Sequence, residues 1–386
     1  MRKPRLMTPG PTPVPEDVLL ELARPVIHHR SAEAKQVVAE VEAGLREVFQ
    51  TRNDVLILTA SGTGAMEAAT VNTVPPDGKV LVLNAGHFAA RWGELCERFG
   101  IHAVRLDTEW GRPVEPAQVA EALRQHPDAA CVMGTLSETS TGTAHPIEAI
   151  GKIVAETPAL FLVDGISGVG AIECRADAWK IDVLCVGSQK ALMLPPGLAF
   201  VAVSPKAWAR IDAFESRSYY FNLKSARAKL KEADTPFTPA HTLILALRAA
   251  LRRILAEGIE NVWDRHRRMS DACLAGVRAL GLELFSTRPA EGMTVFLVPE
   301  GLKDSEIRAG LDERFGITVV GGQGKLKGKI IRVGHMGYMD ELDVIGGLAA
   351  LEMVLSDLGM DIEPGRAVTA AQRALMGKGT SRTRDH

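Results

Sequence analysis

Lys190 lies in an unusually apolar part of the chain for a lysine. The run Ile181–Val186, apolar but for one aspartate, precedes it, and Ala191–Leu194 follows it. A lysine exposed to solvent has no reason to occupy such a segment. Asp164 ends a second apolar run, Ala159–Val163, 26 positions before Lys190. An amine and an acid at the ends of two buried strands suit pyridoxal 5'-phosphate (PLP), because the amine forms a Schiff base with the cofactor and the acid keeps the ring nitrogen protonated.

A glycine-rich turn offers a phosphate site. The residues Ser61-Gly62-Thr63 follow one strand-like run and open a helix-forming segment. Free backbone N–H groups and the helix dipole attract an anion at such a turn. No Walker motif follows. Taken alone, the turn is equally well explained as an ordinary capped helix start.

Two further turns carry side chains that could bind the rest of a cofactor. Phe88 could stack on a flat ring, although its i,i+4 spacing from Trp92 is also that of two core aromatics. Thr139 lies in a Ser/Thr-rich turn whose hydroxyl groups could bind a cofactor or substrate, although such clusters also mark solvated loops.

Arg332 interrupts the apolar run Ile330–Val333. A guanidinium at such a position can form a bidentate pair with a substrate α-carboxylate. The alternative is a structural ion pair or a charge on an edge strand.

Short apolar runs alternate with helical patterns in the first part of the chain. Strands are predicted at 55–58, 79–83, 102–106, 129–133, 160–163, 181–186 and 198–203, and helices at about 31–50, 64–72, 88–99, 115–125 and 146–156. The alternation predicts an α/β fold with a mostly parallel, seven-stranded sheet buried on both faces. Ligands of such sheets lie beyond the carboxyl ends of the strands, where the polar turns fall.

A second, smaller α/β unit follows a helical stretch from about 240 to 280, which Gly258 interrupts. Its predicted strands are 293–298, 317–320 and 330–333, and its predicted helices are 305–315 and 340–358. We therefore divide the chain into an N-terminal segment (1–15), a large domain (16–257), a small C-terminal domain (258–364) and a polar tail (365–386), whose residues 377–386 we expect to be disordered.

Composition excludes several other functional classes. The chain has 386 residues, 46% hydrophobic and 24% charged, with a net charge of −2. That balance gives no electrostatic reason to expect nucleic acid or a membrane surface as a partner. No apolar run reaches the roughly 20 residues that span a bilayer, and no signal peptide is recognisable. The five cysteines are scattered without metal-binding spacing, which predicts no metal site and a cytoplasmic protein.

Together these motifs resemble the class V aminotransferases of PLP fold type I, in the group of alanine/serine–glyoxylate and serine–pyruvate aminotransferases. The most specific pieces are Ser188–Leu192 with Pro195-Pro196-Gly197, the opening Pro9–Pro13, and Arg332–Gly337. The resemblance runs from Thr8 to about Leu358.

The resemblance implies a role for each candidate residue. Lys190 is the Schiff-base lysine, Asp164 is the partner of the pyridinium nitrogen, and Arg332 holds the substrate carboxylate. Gly10 lies over the substrate, and Thr139 lies near both the ring hydroxyl and the substrate. The remaining cofactor-binding residues that it implies are Ser61, Gly62, Thr63, Phe88, Ile166, Gln189, Thr235 and Thr238.

Thr235 and Thr238 match the segment that reaches the partner subunit's phosphate site, so a homodimer with shared active sites is expected. Relatives often have Tyr at the position of Thr235, which makes this assignment less secure. The expected substrates are amino acids and 2-oxo acids, and it stays open whether Arg30 or Arg91 enters the substrate pocket.

The expected reaction is ping-pong transamination of alanine, serine or aspartate with glyoxylate or pyruvate. Other PLP reactions of the fold are alternatives, namely phosphonate or phosphoserine transamination or a lyase reaction. Desulfuration is disfavoured because no cysteine follows Cys273. A catalytically silent, aminotransferase-like subunit is the third possibility.

Overall fold

The computed structural model describes residues 2–377. The strands are β1 (Arg5–Leu6), β2 (Asp54–Thr59), β3 (Lys79–Asn84), β4 (His102–Asp107), β5 (Ala129–Thr135), β6 (Ser137–Glu138), β7 (Thr143–Ala144), β8 (Leu160–Asp164), β9 (Val183–Gly187), β10 (Leu198–Val203), β11 (Met293–Leu297), β12 (Ile317–Thr318), β13 (Val320–Gly321) and β14 (Ile330–Gly334).

The α-helices are α1 (Glu16–Glu21), α2 (Ala32–Phe49), α3 (Gly62–Thr73), α4 (His87–Arg98), α5 (Pro116–Gln125), α6 (Ile147–Ala155), α7 (Pro205–Asp212), α8 (Leu223–Leu230), α9 (His241–Glu257), α10 (Ile259–Ala279), α11 (Asp304–Phe315), α12 (Glu341–Asp357) and α13 (Arg366–Leu375). Within residues 2–377, none of them combines the length and the apolar character that crossing a membrane requires.

A seven-stranded sheet forms the centre of the molecule, in the order β2-β10-β9-β8-β5-β3-β4. All its strands run in one direction except β10, which pairs antiparallel with both β2 and β9. The predicted α/β fold with a mostly parallel, seven-stranded sheet is therefore confirmed. The carboxyl ends of β2, β3, β5, β8 and β9 meet at one edge.

The central strands are continuous apolar runs because helices cover both faces of the sheet. Every residue of β5, β8, β9 and β10 is buried, whereas β4 at the sheet edge is largely exposed. The strand predicted at 181–186 begins only at Val183. Asp182 instead uses its carboxylate to accept hydrogen bonds from the N–H of Phe161 (2.9 Å) and the hydroxyl of Ser204 (2.7 Å).

Two long helices, α9 and α10, join the large sheet to the smaller unit. Gly258, with φ 85°, separates them, as predicted. Beyond them, α11 and α12 accompany a sheet ordered β11-β14-β13. The single strand predicted at 317–320 is two short strands, because β12 pairs with β1 whereas β13 pairs with β14.

The N-terminal segment joins the small unit before it reaches the large one. After the parallel pair β1–β12, the N–H of Gly334 donates to the carbonyl of Met7 (2.8 Å). The segment then passes over Lys190, where the hydroxyl of Thr12 donates to the lysine's carbonyl (2.8 Å). We call residues 7–12 the N-terminal strap, because this segment lies across both the end of β14 and the turn after β9.

The region assigned to a polar tail begins with a helix. Helix α13 buries Ala367 and Ala371, and Glu352 of α12 accepts hydrogen bonds at its start from the N–H groups of Gly365 and Ala367. Spaced i,i+4, these two alanines were the available sequence signal for a packed helix. Residues 378–386, where disorder was expected, lie outside the described residues.

Candidate active site

Lys190 occupies the turn after β9, beneath the N-terminal strap. Its Nζ donates a hydrogen bond to the carbonyl of Pro9 at 2.5 Å. Gly10 has φ +121°, and a Cβ there would lie 2.5 Å from Cδ and 2.6 Å from Cε of Lys190. Only glycine lets the strap approach the lysine this closely without strain. Gly10 is therefore next to Lys190, and its expected position over the substrate stays a prediction.

Asp164 ends β8 and faces Cys185 of β9 across the ladder. Its side chain is only 5% exposed. Within residues 2–377 its one hydrogen bond comes from the N–H of Ile166, at 2.9 Å. Hence no cationic side chain neutralises this carboxylate by direct contact.

Burial shifts the pKa values of the acid and the amine in opposite directions. It raises the pKa of Asp164 from 3.8 to about 7, and the nearby Glu138 charge adds to this effect. It lowers the pKa of Lys190 from 10.5 to about 8, and the positive charge of Arg332 contributes. Asp164 and Lys190 each favour the charged form of the other, so the two groups share one electrostatic environment.

The start of α3 packs closely against the residues that follow β8 and β9. A Cβ on Gly62 would lie 2.5 Å from Cδ1 of Ile166, and one on Gly187 would lie 3.1 Å from Oε1 of Gln189 and 3.6 Å from Cα of Gly62. Ser61 is the N-cap residue, but its side chain makes no capping hydrogen bond. The N–H groups of Gly62 and Thr63, in the first turn, have no intrahelical acceptor. We call Ser61-Gly62-Thr63 with Gln189 the cup.

Glu138, which the sequence interpretation did not select, holds the start of α4. It is 0% exposed. Its carboxylate accepts hydrogen bonds from the N–H groups of Phe88 (3.3 Å) and Ala89 (2.8 Å), and from both the N–H (2.9 Å) and the hydroxyl (2.7 Å) of Ser140. A Cβ on Gly86 would lie 2.7 Å from Oε2 of this carboxylate. Glu138 therefore fixes the helix that carries Phe88 against the loop that carries Thr139.

Phe88 and Trp92 have different environments despite their i,i+4 spacing. Trp92 is fully buried and donates to the carbonyl of Gly134 at 3.2 Å. Phe88 is only half-buried, and the guanidinium of Arg91 lies 5.0 Å from its ring centroid. The core explanation thus applies to Trp92, whereas Phe88 is partly exposed in the first turn of α4, after the end of β3.

The two arginines left open by the sequence go to different places. The Nη1 of Arg91 donates to the hydroxyl of Thr63 in the cup at 2.9 Å. Arg30 instead forms an ion pair with Asp234, with Nε and Oδ2 3.4 Å apart.

Thr139 connects the cofactor side of the site with Arg332. Its hydroxyl donates to Ser167 Oγ (2.7 Å), which in turn donates to the carbonyl of Ser137 (2.8 Å). Its carbonyl accepts from Nη1 of Arg332 at 3.1 Å. Sequence reasoning missed Ser167. Its position three residues after Asp164 was the only sequence feature that could have indicated a place in the site.

Arg332 is held from three sides, yet it has no carboxylate partner within residues 2–377. Nε donates to the carbonyl of Gly321 (2.9 Å), and Nη1 reaches the carbonyl of Thr139 and Oε1 of Gln323 (3.4 Å). The side chain is 5% exposed, and burial lowers its pKa to about 10. The guanidinium therefore stays charged at neutral pH, and no protein hydrogen bond in the described chain uses its Nη2.

Thr235 and Thr238 lie in the segment between α8 and α9. The hydroxyl of Thr235 donates to the carbonyl of Phe237 (2.7 Å), and Thr238 is exposed. In the described part of the chain, no hydrogen bond joins either residue to the cup, although the N–H of Ala240 donates to Oγ1 of Thr59 at 3.1 Å. Their assignment to a partner subunit's site stays a prediction.

A buried histidine anchors the loop behind Lys190. The N–H of Gly337 donates to Nε2 of His266 (2.9 Å), while Nδ1 of His266 donates to the carbonyl of Val262 (2.7 Å). Burial lowers the pKa of His266 to about 3, so the ring is neutral. A Cβ on Gly337 would lie 3.2 Å from the carbonyl oxygen of Lys190. The turn that carries the lysine therefore rests on a rigid loop.

The site therefore combines a buried acid without a cation, an amine of lowered pKa, an anion-binding turn and a buried arginine. The charges of both Asp164 and Arg332 are close enough to affect the pKa of Lys190. Within residues 2–377, no cluster of three or more histidine, cysteine or acidic side chains could hold a metal ion. Such a set suits imine chemistry on a substrate that carries a carboxylate.

Comparisons with known proteins point to one family. Residues 8–344 match the family described as "Aminotransferase class-V". A protein named "Soluble hydrogenase, small subunit" from Synechococcus sp. (strain PCC 6716) is 42% identical over 97% of this chain and 98% of its own length. The "L-aspartate--glyoxylate aminotransferase" of Paracoccus denitrificans is 35% identical over 95% of each chain. The crystal structure of ureidoglycine-glyoxylate aminotransferase from Bacillus subtilis superposes with a TM-score of 0.92 at 32% identity, covering 97% of this chain and 99% of that one.

Proposed function

The chain belongs to the class V aminotransferase family, and on that premise we propose that it moves an amino group from alanine, serine or aspartate to glyoxylate or pyruvate by a ping-pong mechanism. The family, the enzyme class and the dependence on PLP, all predicted from the sequence, are confirmed. The amino donor, the acceptor and the order of steps are the proposed part.

The residues of this site fit PLP. Asp164 is a buried carboxylate whose one hydrogen bond within residues 2–377 comes from a backbone N–H, and a protonated ring nitrogen would neutralise it. Gln189 Oε1 is buried without a partner in the described chain, and rotating the amide by 180° would turn its N–H groups toward an anion. The glycine at 62 lets Ile166 pack against the cup, since a Cβ there would lie 2.5 Å from Cδ1 of Ile166, and the first N–H groups of α3 have no intrahelical acceptor. When bound, PLP supplies an electron sink that acidifies the Cα proton of an attached amino acid.

Lys190 is the residue that moves the proton. With a pKa of about 8, about one tenth of its Nζ is neutral at pH 7 and about half at pH 8, and the neutral form can accept the Cα proton. Gly10 and Pro9 cover Nζ, which limits the access of water to the reacting atoms. Thr139, whose hydroxyl is aligned by Ser167, is positioned to orient the ring hydroxyl and the substrate.

The observation that carries the substrate proposal is the buried guanidinium of Arg332. Its Nη2 has no protein partner in residues 2–377, so it is available to an α-carboxylate. Apart from Arg332, the arginine that contacts the site is Arg91, which is directed at the cup. Small neutral amino donors therefore fit at least as well as dicarboxylates.

A homodimer with shared active sites is part of the same proposal. Thr235 and Thr238 would then serve the partner subunit's phosphate site, and within residues 2–377 neither hydrogen-bonds to the cup of its own chain. The five cysteines are all buried free thiols within residues 2–377, which suits the cytoplasm proposed from the sequence.

Two alternatives use the same fold. Another PLP reaction, on a phosphonate or a phosphoserine or as a lyase, would need a different set of groups around the substrate side chain. A catalytically silent subunit is suggested by the printed name of the hydrogenase relative. The presence of Lys190, Asp164 and Arg332 in one site argues against a subunit without catalytic activity.

A donor and acceptor panel tests the proposal. We expect the highest kcat/KM with alanine, serine or aspartate as donor and with glyoxylate or pyruvate as acceptor. Lys190→Ala should abolish transfer, because the amine that carries the proton is lost, whereas Lys152→Ala, at an exposed surface pair, should not change it. Transfer by Lys190→Ala at the wild-type rate, or no transfer with any pair in the panel, would contradict the proposal.

A further inference from the structure

We propose that Arg91 supplies the positive charge that neutralises the phosphate of PLP at the cup. The proposal rests on PLP binding at this site and is independent of which amino acid reacts. It assigns to Arg91 a direct contact with the phosphate.

Arg91 spans the two parts of the site that would bind opposite ends of the cofactor. It lies one helical turn after Phe88 on α4, and its Cζ is 5.0 Å from the centroid of that ring. Its Nη1 donates to Oγ1 of Thr63 in the first turn of α3 at 2.9 Å. The guanidinium is therefore directed at the open N–H groups of the cup.

Arg91 has no ion-pair partner within residues 2–377, although its side chain is half-buried. Its hydrogen bond to Thr63 goes to a neutral hydroxyl and uses one of five N–H donors. Most other half-buried arginines in the described chain have a carboxylate partner, such as Arg227 with Asp212 (2.7 Å) and Arg265 with Glu257 (2.7 Å), whereas Arg210 reaches only the carbonyl of Pro158 (3.5 Å). A partly desolvated guanidinium without an anion indicates that a ligand provides one.

The cup itself cannot neutralise a phosphate. Its residues are uncharged, and the N-terminus of α3 contributes only about half of a positive charge. A phosphate monoester carries about −1.5 to −2 at pH 7, so a charge of about −1 to −1.5 remains. The other cations of the site are engaged elsewhere, since Lys190 donates to Pro9 and Arg332 to Gly321 and Thr139. Arg91 is the cation that contacts the cup.

A purely structural role is the competing explanation, in which Arg91 only braces Phe88 against Thr63. Inorganic phosphate separates the two roles because it has no ring to stack on Phe88. Loss of a direct contact weakens both PLP and inorganic phosphate, whereas loss of a brace for the ring weakens PLP alone.

The experiment measures two equilibrium constants on full-length apoprotein. The first is the Kd of PLP, followed by its absorption. The second is the inhibition constant of inorganic phosphate as a competitor of PLP. We expect Arg91→Gln to weaken both by about 10- to 100-fold, the range of a charge-assisted hydrogen bond. Arg91→Lys should fall between Arg91→Gln and the wild type.

Two matched variants complete the test. Phe88→Leu should weaken PLP and leave inorganic phosphate within about two-fold, and Arg98→Gln, on the exposed last turn of the same helix, should change neither constant. The proposal is overturned if Arg91→Gln leaves the phosphate constant within about two-fold of the wild type, or if phosphate fails to compete for wild-type apoprotein. No amino donor is present, so neither outcome bears on the proposed substrates.

Discussion

Asp164 should make the cofactor-free protein less stable as the pH rises from about 4 to about 7. Its carboxyl has a pKa of about 7 in the folded state and 3.8 as its ordinary value, so the folded protein binds this proton more tightly than the unfolded chain. The group therefore imposes no cost below about pH 4. Between about pH 4 and pH 7 the cost increases, because the unfolded chain releases a proton that the folded protein retains, and above about pH 7 it levels off. Asp164→Asn removes the charge and keeps an oxygen that can accept the N–H of Ile166.

The size of the effect follows from the shift. A difference of about 3 pKa units at ~1.36 kcal/mol each gives about 4 kcal/mol at pH 8. We expect Asp164→Asn to match the wild-type apoprotein at pH 4 and to exceed its free energy of unfolding by up to about 4 kcal/mol at pH 8. Lys190 does not alter this pH dependence. The free-energy cost of burying its charged amine is constant below its pKa of about 8 and decreases only above it.

Urea denaturation of both apoproteins, at one protomer concentration and at several pH values from 4 to 8, measures this difference. Asp361→Asn, at an exposed carboxylate, is the control and should show no such trend. Added PLP should stabilise the wild type more than Asp164→Asn, because the protonated ring nitrogen pairs only with the carboxylate. A difference that stays constant from pH 4 to pH 8, or one that grows toward low pH, would refute the reasoning.

Three further substitutions test other parts of the site. Gly10→Ala forces a Cβ against Lys190 at φ +121°, so borohydride trapping of PLP on the lysine should fall at least about 10-fold; trapping at the wild-type level would exclude the close approach. Glu138→Gln should lower the free energy of unfolding by about 2–3 kcal/mol, because Ala89 and its neighbours lose a charged acceptor; a change under about 0.5 kcal/mol in urea denaturation would contradict this. Arg332→Lys should raise the KM of the amino donor about 100-fold and leave the PLP absorption unchanged; an unchanged KM would remove Arg332 from the substrate site.

The fold was predictable because its signals are local and strong. Continuous apolar runs such as 129–133 and 160–163 require a sheet buried on both faces, and the structure has these strands within one or two residues. The division of short elements was not predictable, because pairing partners distant in sequence define them: a single strand was predicted at 317–320, where the structure has two. The two-residue strands at Arg5–Leu6 and Ile317–Thr318 exist only because each pairs with the other.

The candidate site was predictable where a residue type is unusual for its surroundings. Lys190, Asp164 and Arg332 are charged residues in apolar runs, and the structure brings them together. Glu138 was missed because an acid in a Ser/Thr-rich turn resembles a solvated loop, and only the three-dimensional structure shows it buried at the start of α4. The direction of Arg91 was open for a similar reason, since helical spacing does not indicate which neighbour a long side chain contacts.

A half-reaction tests the central claim most directly. Wild-type holoenzyme is mixed with one amino donor, with no acceptor present. The account predicts that the visible absorption of the bound cofactor disappears while one equivalent of 2-oxo acid is released per active site, and that glyoxylate then restores the absorption. Lys190→Ala, loaded with PLP, should release no 2-oxo acid on the same time scale. Release by that variant at the wild-type rate, or wild-type absorption that persists with every donor in the panel, would contradict the account.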